Sequence, residues 1–215
     1  MPNDRISHPI FARFYARVST SMERGGVAER RDHLLAGLAG EVIEVGAGNG
    51  LNFAHYPAEV TRVIAVEPDA YLRGIAQDAA VRAPVKVEVV NGVADRLPLG
   101  DAACDAVVAS LVLCSVPDQG SALAEMYRVV RPGGQLRFME HVVAQTPGLR
   151  RVQRLLDATV WPVMAGGCHT SRDTSAAIEA TGFTIERLER FRFPDTRITN
   201  PSSPHILGVA SRSES

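Results

Sequence analysis

Apolar residues in the first forty positions recur at helical spacing. In residues 1–26, Phe11, then Phe14 or Tyr15, then Val18 follow that rhythm and predict a short amphipathic helix, broken by Gly25-Gly26. Residues 27–38 read as a second helix, with Val27, Leu34, Leu35 and Leu38 apolar and Gly40 as the stop. The pattern then changes. The segments 41–45, 62–66, 85–90, 105–110 and 135–143 are short, rich in β-branched residues and continuously apolar, as in strands buried on both faces. Helical segments over 70–81 and 119–130 alternate with them, which implies βαβ units and a largely parallel sheet between helices.

After Val143 the alternation stops. A cationic helix over 149–161 leads into a glycine-rich stretch, Met164-Ala-Gly-Gly-Cys-His169. A helix over 174–181 follows, then a strand from Phe183 and a last one at 205–210. With no helix between them, those two strands pair antiparallel at the sheet's edge. The expectation is one α/β domain over 1–215: a doubly wound, mostly parallel seven-stranded sheet with helices on both faces and a last antiparallel edge strand. Residues 1–26 form an N-terminal cap or lid, and 145–170 an insertion over the sheet end where α/β folds place ligands.

Composition narrows the partners. In 215 residues, 23 Lys+Arg face 24 Asp+Glu, so no cationic field addresses nucleic acid. Only Lys86 is a lysine, and it stands near no motif. Three widely spaced cysteines provide no disulfide framework, which fits a reducing compartment and a cytoplasmic protein. No apolar run reaches the roughly 20 residues of a membrane span, and the charged N-terminus has no signal-peptide core. A monomer or homodimer is expected.

The most informative stretch is Glu44-Val-Gly46-Ala47-Gly48-Asn-Gly50, leaving the first strand of the sheet. Glycines there let a ligand approach the backbone. Glu67, 21 residues beyond Gly46, ends the next strand, where an acid accepts hydrogen bonds from both ribose hydroxyls. A dinucleotide loop needs its third glycine at position 51, which is Leu51, and Glu44 would repel a diphosphate. The same acid suits a cationic sulfonium amino acid, so S-adenosylmethionine is favoured over NAD. Asp95, after the third strand, is placed to accept from an adenine amine. Ser110 and Leu111, where the fourth strand ends, lie beside the same ligand.

These motifs, from about Val42 to Val143, resemble the class I S-adenosylmethionine-dependent methyltransferases of the methyltransferase-11 domain type, whose fold is Rossmann-like. The resemblance implies Glu44, Gly46 and Gly48 at the methionine end, with Ala47, Gly50 and Asn52 in the same loop. It implies Glu67 and Pro68 at the ribose, Ala94 and Asp95 at the adenine, and S-adenosylhomocysteine as product. The strings HPIFARFYARVS, VGAGNGLNFAHYP, LVLCSVPD, FMEHV and AGGCHTSRDT are similar to the methyltransferase-like proteins that S-methylate alkyl thiols and to their bacterial relatives. That second resemblance implies a small thiol acceptor; its membrane-bound animal members carry an N-terminal hydrophobic anchor, for which residues 1–26 offer no apolar core. The enzymatic alternative is O-, N- or C-methylation of a small metabolite such as a quinone precursor. The non-enzymatic alternative is a cofactor-binding protein without turnover.

Methyl transfer from a sulfonium is an in-line displacement that needs an aligned, electron-rich nucleophile. A thiol needs least help, while oxygen or carbon wants a positioned base. The candidate bases are His141, on the fifth strand, and His169, beside Cys168. Phe11, Phe14, Tyr15, Cys114, Trp161 and Cys168 are candidates for the acceptor pocket. No metal is expected, because no second ligand cluster has suitable spacing. Cys104 reads as core, and Arg150, Arg151 and Arg154 as a solvated helix face.

Overall fold

A computed structural model describes residues 9–195 and 200–214. Helix α1 (Pro9–Met22) passes through a wide turn, Glu23–Val27, into α2 (Ala28–Leu35). Then follow β1 (Gly40–Val45), β2 (Val60–Val66), α3 (Ala70–Ala80), β3 (Val87–Val90) and β4 (Cys104–Ser110). The chain continues through α4 (Gln119–Val129), β5 (Val130–His141), α5 (Pro147–Asp157) and α6 (Trp161–Met164). It ends with α7 (Thr174–Ala180), β6 (Thr184–Arg192) and β7 (Pro204–Ser211). Helix starts follow their capping residues: Asp69 accepts from the amides of Tyr71 and Leu72, and Asp118 from those of Gly120 and Ser121.

The seven strands lie in the order β3-β2-β1-β4-β5-β7-β6. β1 to β5 pair in parallel, and β7 runs antiparallel to both β5 and β6. The antiparallel strand thus sits inside the sheet, and β6 takes the edge. Burial explains the order. In β7, Ile206, Leu207, Val209 and Ala210 are buried, whereas β6 carries Glu186, Arg187, Glu189, Arg190 and Arg192, charges that protect an edge from mispairing.

Alternate residues of each central strand enter two cores. Ile43, Val107, Ala109, Leu136 and Phe138 pack with Leu123 and Met126 of α4 and Ile178 of α7. Val42, Val63, Ala106, Val108 and Met139 pack with Leu34 and Leu35 of α2 and Ala76 of α3. The sheet is doubly wound, as the continuous apolar runs imply.

Element ends shift where pairing decides them. β5 begins at Val130, ahead of its glycine turn, because Val130 pairs with Cys104. β3 begins at Val87, opposite Val63 of β2. The helix expected over 149–161 is two helices. Pro162 has no N–H and fits only a first helical turn, so α6 restarts at Trp161.

Candidate active site

A cavity of about 1000 Å³ opens at the carboxyl ends of the strands, around the point between β1 and β4 where strand order reverses. Val45, Val66, Ser110 and His141, the last residues of β1, β2, β4 and β5, all line it. Residues of α1 and α6 close its outer side, among them Ala12, Tyr15, Trp161 and Met164.

The wall on the β1–β2–β3 side is built by loops that leave each strand. Gly46 (φ 67) and Gly48 (φ 57) turn the chain in a region other residues avoid, and a Cβ on Gly46 would stand 2.5 Å from a Val112 methyl. Glu67 is buried and accepts from the Gly48 amide at 2.7 Å and the Asp69 amide at 2.8 Å. Burial pushes its carboxyl up to about 7 against the pull of those two amides. Arg73 ties the neighbouring loops by donating to the Glu67 and Pro68 carbonyls and to Asn91 Oδ1. Gly46, Gly48, Glu67, Pro68, Ala94, Asp95, Ser110 and Leu111 all line the cavity.

Glu44, Ala47, Gly50 and Asn52 are not among the residues that line it. Period-two alternation turns Glu44 to the α2 and α3 face, where Tyr56 donates at 2.7 Å and Asn52 at 2.9 Å to its carboxylate. Burial pushes the Glu44 carboxyl up to about 7. Arg31, which reaches the cavity, donates to Asn52 Oδ1 at 2.6 Å and to Glu23 at 2.8 Å. This buried network holds the glycine loop from beneath. Nothing in the spacing of α2 singles out Arg31, a cation inside a helix rich in charge.

The other wall belongs to β4, β5, β7 and the segment 161–168. Phe14, Tyr15, Cys114, His141, Trp161 and Cys168 line it; the side chain of Phe11 lies outside the described residues. Phe14, 60% exposed, stands at the mouth. Cys114 Sγ is 3.6 Å and Cys168 Sγ 3.5 Å from His141 Nδ1. The two thiols bind their protons unequally. Cys114 and His141 pull the Cys168 thiol down, while the Cys168 contact and burial push Cys114 up.

Backbone devices fix this corner. Glu140, fully buried, accepts from the amides of Val112 and Leu113 at 2.9 Å and of Cys114 at 3.1 Å. Leu111 takes φ 59, a strained value for leucine, as the chain swings into that turn. Asp157 accepts from Thr170 and Ser171 and anchors the far end of the glycine-rich loop.

His169 is not among the residues that line the cavity. Its Nδ1 donates to the Gly167 carbonyl at 2.8 Å, and its amide donates to the Cys114 carbonyl at 2.7 Å. It pins the loop. A histidine that sequence reasoning missed takes a place at the cavity: His205 of β7, whose ring lies 4.4 Å from that of His141. Burial and the neighbouring His141 hold His205 down to about 3, so it is neutral there, donating from Nδ1 to the Ser203 carbonyl. Only the pairing His141↔His205 in the β5–β7 ladder brings the two together.

A methyltransferase domain family model matches residues 43–138. Thiol S-methyltransferase TMT1A of Homo sapiens is 34% identical over 181 residues, 81% of this chain and 72% of its own length. TMT1B of Mus musculus is 36% identical over 181 residues, 82% of this chain and 73% of its own. The chain belongs to this methyltransferase family. It is an S-adenosylmethionine-dependent enzyme. The ubiquinone/menaquinone biosynthesis C-methyltransferase UbiE of Methylobacterium nodulans is 30% identical over 126 residues, covering 59% of this chain and 48% of UbiE. Among solved structures, an S-adenosylmethionine-dependent methyltransferase from Methanosarcina mazei superposes with TM-score 0.65 at 20% identity, covering 85% of this chain and 97% of that one. The [4+2]-cyclase SpnF gives 0.70 at 19%, covering 89% and 81%. Those two likenesses show the Rossmann-like fold alone. Among the described residues, no helix is long and apolar enough to cross a membrane.

Proposed function

We propose that the chain is a thiol S-methyltransferase, with the cofactor across the ends of β1, β2 and β4 and a small apolar thiol entering between α1 and α6. The observation that carries the reading is the acceptor corner. Cys114, His141 and Cys168 meet at the inner end of a chamber walled by Tyr15, Val116, Trp161 and Met164. The names of the relatives TMT1A and TMT1B support the same acceptor.

The cradle fits S-adenosylmethionine. Gly46 and Gly48 leave the backbone bare where the methionine end lies, and each Glu67 oxygen keeps a lone pair beyond its single amide for a ribose hydroxyl. Asp95 and Ala94 take the adenine. When bound, the cofactor supplies an electrophilic methyl on a sulfonium. The protein's part is to hold the acceptor sulfur in line, exclude water and take one proton. A thiol with a pKa near 8.5 is a few per cent ionised at neutral pH and needs little more than an adjacent acceptor for that proton. His141, which contacts both cysteine thiols, is the imidazole we assign to that proton.

Methylation at carbon or oxygen of a quinone precursor is the second reading, supported by the shorter match to UbiE. Methyl transfer to a panel of hydrophobic thiols, phenols, quinols and amines, read by mass, separates the readings. The thiol reading expects turnover with the thiols alone; preference for a quinol or phenol overturns it. Tight binding of S-adenosylhomocysteine with no turnover on any acceptor overturns both in favour of a non-catalytic protein.

A further inference from the structure

Three side chains able to bind a soft metal come from separate segments: the turn after β4, the end of β5 and the loop after α6. Cys114 Sγ and Cys168 Sγ lie 3.6 and 3.5 Å from His141 Nδ1, and the three donor atoms all fall within 4.8 Å of one another. We propose that Cys114, His141 and Cys168 bind one zinc ion whose open fourth position takes the acceptor's sulfur. The inference rests on the thiol reading given above, and it replaces the imidazole as the means of forming the thiolate.

Distances favour the ion. With Zn–S about 2.3 Å and Zn–N about 2.0–2.1 Å, tetrahedral ligands place sulfur and nitrogen roughly 3.5 Å apart. Both sulfur–nitrogen separations have that value. Two thiolates and an imidazole select zinc over the hard cations magnesium and calcium. Three protein ligands with one open position is the composition of a catalytic zinc site; a structural site closes all four. The open side faces the cavity that all three residues line.

The surroundings are those of a metal site too. Zinc ligands are held by an outer ring of hydrogen bonds. Here Glu140 fixes the turn carrying Cys114, and the His169 amide holds the Cys114 carbonyl. Gly167, at φ 90, lets the loop lie against the Ser115 carbonyl, which a Cβ would meet at 2.9 Å. Trp161 Nε1 is buried without a well-formed hydrogen bond of its own and faces the Cys168 sulfur. Cys104 supplies the internal contrast. It is equally buried, yet its thiol merely donates to the Val129 carbonyl in the core, pushed up to about 12 by burial.

The chemistry balances without an oxidant or reductant. The acceptor thiol RSH coordinates as RS⁻, and its proton leaves to solvent. A sulfur lone pair forms the bond to the methyl carbon. The electron pair of the breaking methyl–sulfonium bond stays on the departing sulfide. The neutral thioether, a poor zinc ligand, is released, and zinc stays divalent throughout.

The test uses the full, untagged chain, reduced, equilibrated with zinc and desalted, with metal counted by mass spectrometry. One zinc per chain is expected, falling at least tenfold in Cys114→Ser and Cys168→Ser and unchanged in Cys104→Ala. Circular dichroism verifies that each variant is folded. Cobalt in place of zinc gives a sulfur-to-metal charge-transfer band, expected to shift on adding a hydrophobic thiol and not on adding a phenol. Less than a tenth of an equivalent in the folded wild-type chain overturns the site, and thiol turnover in that metal-free chain leaves the thiol reading standing. A full equivalent whose cobalt band no thiol shifts overturns the open position, and turnover on quinols in that sample overturns the thiol reading instead.

Discussion

The two walls of the cavity are assembled in opposite ways. On the β1–β2–β3 side, each contributing residue follows directly on its own strand, and backbone amides do much of the holding: Gly48 and Asp69 on Glu67. On the β4–β5–β7 side, the working groups are side chains 27 residues apart, Cys114 to His141 and His141 to Cys168, joined only when the strands pair and the glycine-rich loop folds back. On the proposed reading, the first wall presents a fixed shape to a cofactor that does not vary. On the same reading, the second is a set of replaceable side chains on loops, where acceptor choice can change without touching the cradle.

The largest expected effect falls on the second wall. Glu140→Ala leaves three amides, two of them buried, without an acceptor, and at about 1 kcal/mol for each donor it costs about 3 kcal/mol of stability. Urea unfolding measures this, and a loss under 1 kcal/mol breaks the claim that this carboxylate builds the acceptor corner. On the first wall, Glu67→Ala weakens S-adenosylhomocysteine binding by about 1–3 kcal/mol in calorimetry, the cost of losing charge-assisted hydrogen bonds. Unchanged affinity removes the ribose assignment.

The same residue gives a pH signature. Its carboxyl, raised to about 7 by burial, contributes stability below the ordinary glutamate value of about 4.3, and that contribution is lost as pH rises through 7. On the proposed ribose assignment, the hydroxyls donate to the ionised form, so binding below pH 7 expels a proton. Affinity is expected to rise by up to about tenfold per pH unit as pH approaches 7 and to level above it, with no slope in Glu67→Gln.

Gly167→Ala sharpens the comparison. Its φ of 90 and the 2.9 Å approach to Ser115 cost about 1–3 kcal/mol or displace the loop. Methyl transfer is expected to fall while S-adenosylhomocysteine affinity, read by calorimetry, holds. The smallest effect belongs to His169→Ala. Losing one hydrogen bond to the Gly167 carbonyl costs about 0.5–1.5 kcal/mol in thermal unfolding, and the pH profile of turnover keeps its shape. A changed profile places His169 in the chemistry instead.

Most of the first wall is legible in the sequence because its spacing is local. A glycine loop, an acid at the next strand end and an acid after the third strand each need only the strand before them. Glu44 and Asn52 lie in the buried network beneath the glycine loop. Motif spacing locates a residue along a strand, while alternation decides which face it takes. His205 and Arg31 were missed because neither carries a local signal; one reaches the cavity through strand pairing and the other through helix packing. His169 follows Cys168 in the chain, yet its ring turns to the Gly167 carbonyl while the Cys168 thiol turns to His141.

What the sequence alone determined is the periodicity, and with it the doubly wound sheet, the glycine loop and the cofactor class. Each follows from short-range rules of backbone conformation and burial. Tertiary structure alone decided that β7 enters between β5 and β6, that Glu140 closes the turn beneath Cys114, and that two cysteines and a histidine share one corner. Those depend on contacts between distant segments, whose loop-closure cost is met only by the assembled core.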